Sequence, residues 1–559
     1  MDTPYGELPD RFVKDMTVQE MHDFLRARRR RRRLLTGAAL LGAAAAGPVL
    51  WRRSYSGASA TTTSVAAPRW IAYGGDPTTQ MFVSWSLGTH DGPVVVPPAA
   101  QVRWGLDETY GSIEQVCHSG LVPVPCVPDE PAQHTTYNHV LLDGLSPGTT
   151  YHYSVSDDGV HWSADATFTT AEAGPSDFRF TVVGDQSVSP ASSQRIAELI
   201  AAQRPRFNVV VGDLAYAAPT GRGFYSPAYV GGQISDASAF NPGEWDRYLG
   251  IVGPAAAGSI PWSVSVGNHE MEPLDAFGYA GFLTRFPQAY ALEREAGSPV
   301  VKSLTYGNVA VIQTDANDLS AELADNNGYT EGRQTAWLEA QLAAYRSADS
   351  GIDWIVVGFH NCMYCSNVTH GSDAGIRSVW EPLFDRYRVD LVVNGHVHAY
   401  ERTYPIRAGV ANTDAGSVYD PGTAGVTYIL AGGGGQALYS GWLGPTGGGD
   451  PATDAGPPLI NEWEHGGTAL GADGGATAPA RYVGDPVTGY SAYRKTDWSF
   501  IVLDVTAPDR PGGETRLWVR AIAPTQTGTE ITAITDPVVI DAVTLVKRSS
   551  ASWRGGRPA

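Results

Sequence analysis

Five apolar runs in this chain each stop at residues able to hold a metal ion. FRFTVV is followed by Gly184-Asp185, and FNVVV by Gly212-Asp213-Leu214-Ala215-Tyr216. IPWSVSV leads into Gly267-Asn268-His269-Glu270, WIVVGF into His360, and DLVVN into Gly395-His396-Val397-His398. Hard oxygen donors mixed with imidazoles suit Fe, Mn or Zn, whereas Mg or Ca alone would not need so many histidines. The inventory is large enough for two ions. One carboxylate can bridge a pair about 3.5–4 Å apart, the spacing of two-metal hydrolases. A tyrosine phenolate is a hard anion that favours Fe(III). His396 and His398 share a face if the chain there is extended, but diverge to different ions if it turns. Taken singly each residue has an ordinary reading: an Asp after a strand is a turn residue, and a buried Tyr or His is a hydrogen-bonded core group. The other histidines (His22, His90, His118, His134, His139, His152, His161 and His465) are read that way.

Side chains so far apart in sequence meet only if a fold gathers the strand ends. From about residue 176, apolar runs alternate with helical stretches at 192–203 and 333–347, the pattern of an α/β domain with buried strands. In open α/β sheets ligands sit beyond the carboxyl ends of the strands, so the five ends would converge on one rim. Glycine precedes four of the five clusters and lets the chain turn sharply there. Two long Gly- and aromatic-rich insertions, roughly 218–245 and 434–495, read as functional loops. The run Gly432–Gly435 lacks the Lys-Ser/Thr or GxGxxG helix of a phosphate loop.

Residues 66–172 carry short strand-like segments: MFVSWSL, AQVRWGL, YNHVLLDGL, TYHYSVSDDG and ADATFTTA. The stretch from Leu145 to Tyr153 resembles the turn and tyrosine corner of a fibronectin type III sandwich, with Trp85 as its central tryptophan. A β-sandwich of another kind is the alternative, and residues 171–177 form the linker. Cys117 and Cys126 make a plausible local disulfide. Cys362 and Cys365 read as a disulfide or two buried thiols, because a structural zinc site would need two more such ligands nearby.

The whole chain of 559 residues is 43% hydrophobic and 17% charged, which excludes global disorder. Its net charge of −19 makes it a poor general binder of nucleic acid. The basic residues concentrate at the start, where Arg28–Arg33 precede Leu34-Leu35 and an 18-residue apolar stretch diluted by Gly and Ala. That stretch is a weak membrane span. Arg-Arg-x-Leu-Leu resembles a twin-arginine export signal, with cleavage near Ala58-Ser59-Ala60 or the alanines at 43–46. An uncleaved anchor is the alternative. Residues 1–60 are thus expected to be an export signal and linker, giving a secreted or envelope protein, and residues 548–559 a disordered tail.

The ordered set GD, GDxxY, GNHE, VxxH and GHxH resembles the purple acid phosphatases of the metallophosphoesterase superfamily, most closely in GHVHAYERTYP and GDLAYA. The resemblance implies a catalytic domain over 176–547 with a four-layer αββα core, behind the fibronectin-like domain at 66–172. It implies that Asp185, Tyr216 and His398 bind Fe(III), and that Asn268, His360 and His396 bind a divalent Fe, Zn or Mn. Asp213 would bridge the two ions. His269 would contact phosphate, and His370 would help protonate the leaving group. The family's usual Gly two residues after the first Asp is Ser187 here, which could alter that turn. The implied activity is acid phosphatase action on small phosphate monoesters. Alternatives are phosphodiester or nucleotide hydrolysis at the same centre, and a surface binding protein with a spent site.

Overall fold

The structure, a computed structural model, describes residues 68–91, 100–116, 118–124, 133–218, 221, 243–272, 279–286, 296–323, 326–367, 369–442, 461–465, 480–484, 489–524 and 537–549, plus two short strands, Asp2–Thr3 and Gly6–Glu7. The rest of the expected export signal, the tail beyond 549, and Cys117 and Cys126 lie outside the described residues.

The N-terminal domain is two antiparallel four-stranded sheets. One runs Arg69–Tyr73, Met81–Asp91, Gln133–Leu142, His118–Val124 in spatial order, and the other Ala166–Thr169, Thr150–Ser156, Gln101–Gly105, Ser112–Gln115. Trp85 is fully buried between them. A buried indole N–H needs an acceptor, and Asp157 Oδ1 supplies it at 2.7 Å. The Tyr151 hydroxyl accepts the Ser146 N–H at 2.9 Å and fixes the turn at Ser146-Pro147-Gly148.

The second domain packs two seven-stranded mixed sheets face to face. In the first, Trp262–Val264, Asn208–Val210 and Phe178–Val183 are parallel neighbours, with Val183, Val210 and Val264 in register. In the second, Val309–Gln313, Trp354–Gly358, Leu391–Asn394 and Thr427–Ala431 are parallel neighbours. Period-two alternation sends one set of side chains inward and the other outward. Phe180, Val182, Val209, Val211, Val356, Leu391 and Val393 belong to the core between the sheets. Val183 and Val210 pack outward with Ile196 and Ile200 of the helix Ser193–Ala202. Ile355, Val357 and Val392 pack outward with Leu338 and Leu342 of Arg333–Tyr345 and with Ile376 and Trp380 of Ala374–Arg386. The result is the αββα layering, and each fully buried Val, Ile or Leu contributes about 1.5–3 kcal/mol to it.

The inner core continues without a break into the N-terminal domain. Tyr73, Phe178, Phe207 and Tyr306 form the junction, with the Phe178 and Tyr306 ring centroids 4.4 Å apart. The insertions are not wholly irregular. The helix Gly243–Val252 closes the first. Within the second, Asn461–His465 pairs with Ala480–Gly484 on one side and with Ser372–Asp373 on the other in a small sheet, and Ser491–Lys495 is an edge strand. Short strands embedded in glycine-rich sequence carry too few alternating residues to stand out from loop. Among the described residues, no helix is long and apolar enough to cross a membrane.

Candidate metal centre

All five strand ends reach one point at the mouth between the two sheets. The first sheet delivers Asp185, Asp213, Tyr216, Asn268 and His269, and the second delivers His360, His396 and His398. His360 Nε2 lies 3.1 Å from Asp213 Oδ2 and 3.9 Å from Asp185 Oδ1. His398 Nε2 is 3.5 Å from Asp185 Oδ1 and 3.1 Å from the Tyr216 hydroxyl. His396 Nδ1 is 3.1 Å from Asn268 Oδ1. The chain bends between His396 and His398, so the two rings part, one toward Asn268 and the other toward Tyr216.

Backbone carbonyls orient the rings. Val211 O accepts from His360 Nδ1 at 2.9 Å, Ala437 O from His398 Nδ1 at 2.7 Å, and Ala218 O from His269 Nδ1 at 2.7 Å. Each bond turns Nε2 inward. Gly221 O accepts the Asn268 side-chain N–H at 3.2 Å, which leaves the amide oxygen facing His396.

The turns are made differently from the sequence expectation. Of the four glycines, only Gly212 has a positive φ, at 90°. Asp185, Asp213, Tyr216 and His396 themselves adopt left-handed conformations, with φ between 54° and 74°. Such conformations cost of order 1–3 kcal/mol each and persist only where surroundings enforce them. Glycine is needed instead for close approach. A Cβ on Gly267 would sit 2.1 Å from Asp213 Oδ1, and one on Gly395 2.5 Å from Asp185 Oδ2. The Gly432–Gly435 run does the same: a Cβ on Gly432 would lie 2.9 Å from Asp185 Oδ2. The Ser187 hydroxyl bonds Ser193 Oγ at 2.9 Å and accepts the Ser189 N–H at 3.2 Å, which ties the turn to the start of the following helix.

Burial governs the electrostatics. It pushes Asp185 upward, with the neighbouring Asp213 charge adding to it. It would push Asp213 up too, but His360 and His269 hold that carboxyl well below the usual range. Burial lowers His360, yet the two aspartates outweigh it and bring the ring to about 10. His396 falls to about 4, by burial and the neighbouring His370, and His398 to about 3, chiefly by burial. The Tyr216 phenol is pushed well above its usual value by burial, then by Asp213 and Asp185. A phenol so placed ionises only against a cation.

These donors fit a cation pair. His360 Nε2 is fully buried and makes no hydrogen bond, although Asp213 Oδ2 is in contact with it. A buried ring nitrogen in contact with a carboxylate but off hydrogen-bond geometry is poorly satisfied, and a cation held jointly with the carboxylates would engage it. One donor atom each from Asp185, Asp213 and His360 lies within 4.8 Å of the others.

Several participants carried no role in the sequence reading. Glu270 accepts N–H groups from Asp213 at 2.8 Å, Leu214 at 2.9 Å and Gly267 at 2.7 Å, and so ties two strand ends together. It was visible inside Gly-Asn-His-Glu, but nothing local shows where its carboxylate goes. Glu322, on a loop after the strand Val309–Gln313, reaches His370 and His396. Tyr439 stacks on His398 at 4.1 Å. Neither sits in a motif. Cys362 and Cys365 are free and buried, which decides between the two expectations for them. The Cys362 thiol donates to Gly395 O at 2.9 Å, beside His396. His139 is a satisfied core histidine, held by Ser84 and the Thr284 carbonyl.

Comparison with known proteins agrees with this geometry. The purple acid phosphatase N-terminal domain model matches residues 70–170, and the calcineurin-like phosphoesterase model matches residues 178–400. An uncharacterized protein of Mycobacterium tuberculosis is 33% identical over 335 residues, covering 54% of this chain and 58% of that protein. Purple acid phosphatase 23 of Arabidopsis thaliana is 29% identical over 355 residues, 60% of this chain and 74% of its own length. Phosphoenolpyruvate phosphatase of Allium cepa is 28% identical over 308 residues, 54% and 57% of the two chains. The chain thus spans 58% of the length of the mycobacterial relative. Purple acid phosphatase PPD1 from yellow lupin seeds has the same fold, with a TM-score of 0.55 at 19% identity over 88% of this chain and 78% of that one. PhoD superposes with a TM-score of 0.52 at 13% identity, over 89% and 95%. Two family models in this order over more than half its length, with relatives and a fold that agree, show that this chain belongs to the purple acid phosphatase family.

Proposed function

We propose that the protein is an exported, dinuclear-metal-dependent hydrolase of small phosphate monoesters. The observation that carries this reading is the buried, unbonded His360 Nε2 facing Asp213 and Asp185 among donors from both sheets. Asp185, Tyr216 and His398 would hold Fe(III). Asn268, His360 and His396 would hold a divalent Fe, Zn or Mn, with Asp213 shared. Such a pair, when bound, supplies positive charge to the phosphoryl oxygens and acidifies water for in-line attack. Export rests on the arginine run and apolar stretch near the start of the chain.

The chain's own groups account for the rest. His269, its Nδ1 tied to Ala218 O, directs Nε2 inward, where the ring in its protonated form can donate to a phosphoryl oxygen. His370 has Nδ1 tied to Glu322, and its side chain is 21% exposed at the mouth, so its other nitrogen can hand a proton to the departing alcohol oxygen. Tyr439 lies against both His398 and His370.

Elemental analysis of the purified protein, its visible spectrum, and turnover of a monoester and a diester at equal metal loading test the proposal. Two ions per chain, a visible tyrosinate–iron band that disappears in Tyr216→Phe, and faster monoester turnover are expected. Faster diester turnover would move the substrate assignment. Fewer than one ion per chain with neither ester hydrolysed would leave the binding-protein reading in its place.

A further inference from the structure

Glu322 belongs to none of the five metal-ligand clusters, yet its side chain is only 9% exposed and both its oxygens are engaged. Oε1 lies 2.5 Å from His370 Nδ1, and Oε2 lies 3.1 Å from His396 Nε2. The two imidazoles are 4.2 Å apart between ring centroids. A carboxylate only accepts, so His370 Nδ1 and His396 Nε2 must both carry hydrogen. The other His396 nitrogen, Nδ1, faces Asn268 Oδ1 at 3.1 Å. The bond to Glu322 leaves His370 Nε2 as the nitrogen that exchanges a proton.

The loop carrying Glu322 is fixed from behind. Asp373 accepts the Ala321 N–H at 2.9 Å, the Ser320 hydroxyl at 2.8 Å and the Glu322 N–H at 3.3 Å. The same carboxylate caps the helix Ala374–Arg386 through the Gly375 and Ile376 N–H groups. Asp373 follows His370 by three residues, so one helix start sets both the histidine and the acid that reaches it.

We propose that Glu322 is a positioning residue for leaving-group protonation, which fixes His370 by its Nδ1–H and links that ring to the His396 side of the metal centre. The inference rests on the phosphatase reading above. In the step, phosphorus bonds to the oxygen of an attacking hydroxide as the ester P–O bond breaks, and the electron pair of the broken bond stays on the leaving oxygen. That oxygen takes the proton from His370 Nε2. The neutral ring keeps its Nδ1–H on Glu322, and water restores the proton to Nε2. Glu322 itself transfers nothing. It is not read as a further metal ligand, because the two ring nitrogens that face it carry hydrogen and have no lone pair to offer a shared ion.

The test uses the full chain with both metals loaded, as wild type, Glu322→Ala, Glu322→Gln, His370→Ala and the double variant Glu322→Ala/His370→Ala. An alkyl phosphate, whose alkoxide needs a proton to leave, is compared with p-nitrophenyl phosphate, whose phenolate does not. Glu322→Ala should keep two ions per chain and lose about 10–100-fold in kcat on the alkyl ester, with much less loss on the aryl ester and little change in KM. Glu322→Gln, which retains one acceptor, should fall between. The double variant should be no slower than His370→Ala, since coupled residues do not add. A downfield imidazole N–H proton resonance should vanish in both single alanine variants. Equal losses on the two esters, additive losses in the double variant, a third bound ion, or loss of metal in Glu322→Gln would overturn the proposal. A wild type that hydrolyses neither ester would overturn the phosphatase reading instead, while the resonance would still report on Glu322.

Discussion

Among the described residues, two groups of one histidine and two carboxylates bring donor atoms within 4.8 Å of each other, Asp185–Asp213–His360 at the mouth of the large sheets and Glu108–His152–Asp165 on the outside of the N-terminal domain. By donor chemistry they are the same. In the outer group His152 Nδ1 lies 2.8 Å from Asp165 Oδ2, and the Tyr110 hydroxyl donates to Asp165 Oδ1 at 3.1 Å. Its side chains are more than a quarter exposed, so water completes whatever the protein leaves open. In the inner group His360 Nδ1 is already committed to Val211 O, and its other nitrogen is sealed among carboxylates with no hydrogen bond. Burial together with an unengaged donor, rather than the donors themselves, distinguishes a centre that needs cations.

The largest expected effect breaks the inner group. Asp213→Asn keeps the shape but removes the charge that would be shared by two ions. Turnover should fall by about 10³-fold or more, and metal content from two ions per chain to one or none. Elemental analysis beside steady-state kinetics checks it. Undiminished metal content would mean that Asp213 is not shared between the ions.

Asp390 sharpens the contrast with a third arrangement. It too is fully buried, but the protein supplies its cations, with Arg346 Nη2 at 2.6 Å, Lys547 Nζ in contact and the Ile355 N–H at 2.8 Å. Burial works against its charge, yet Arg346 and Lys547 hold its carboxyl below the ordinary range. Asp390→Ala leaves two cations unpaired and should cost about 3–5 kcal/mol of stability. Metal content should not change. Urea unfolding monitored by tryptophan fluorescence measures the loss, and a loss below about 1 kcal/mol would show that solvent compensates there as it does at Asp165.

The inner group's strands were legible in the sequence, because buried parallel strands read as apolar runs and the donors follow them directly. The helices at 192–203 and 333–347 appear as Ser193–Ala202 and Arg333–Tyr345. Glu322 was not legible: Val309–Gln313 is an apolar run like the others, but its contribution to the site comes nine residues past the strand end, on a loop held by Asp373. Nor was the placement of strain. Glycine suggested where the chain turns, but close approach to Asp213 and Asp185 is what excludes a Cβ, and the left-handed conformations fall on the ligand candidates themselves. Which atoms crowd a glycine is set by long-range packing.

Removing the metals exposes the cost of the inner group as a pH dependence. His396 and His398, held near 4 and 3, favour the neutral form in the fold. Their contribution is present above the unfolded value of about 6.5 and is lost as pH falls toward 4 and 3. Glu270, pushed up to about 8 by burial and then by Asp213, has the opposite sign. Its contribution is present below the unfolded value of about 4.3 and is lost as pH rises through 8. Chelated protein should therefore melt highest near pH 5–6 and lose about 3–6 °C toward pH 8. Loading metal should flatten the alkaline side, because cations favour the Glu270 carboxylate. Thermal melts of chelated and loaded protein from pH 4 to 9 give both curves, and an alkaline slope unaffected by metal would place Glu270 outside the cations' influence.

The smallest expected effect falls on the outer group, and it is the sharpest challenge to the comparison. Asp165→Asn removes an exposed charge whose partners are His152 and Tyr110. Exposed pairs of this kind contribute about 0–1 kcal/mol, so the melt should scarcely move and turnover should stay at the wild-type level. Metal content is the telling measurement. If the wild type carried a third ion that survived Asp213→Asn but was lost in Asp165→Asn, three donors at the right spacing would suffice to bind a cation in open solvent. Burial would then be a condition for catalysis at the inner group, not for binding. Two ions lost together in Asp213→Asn and none lost in Asp165→Asn would instead tie metal affinity to the donor that water cannot reach.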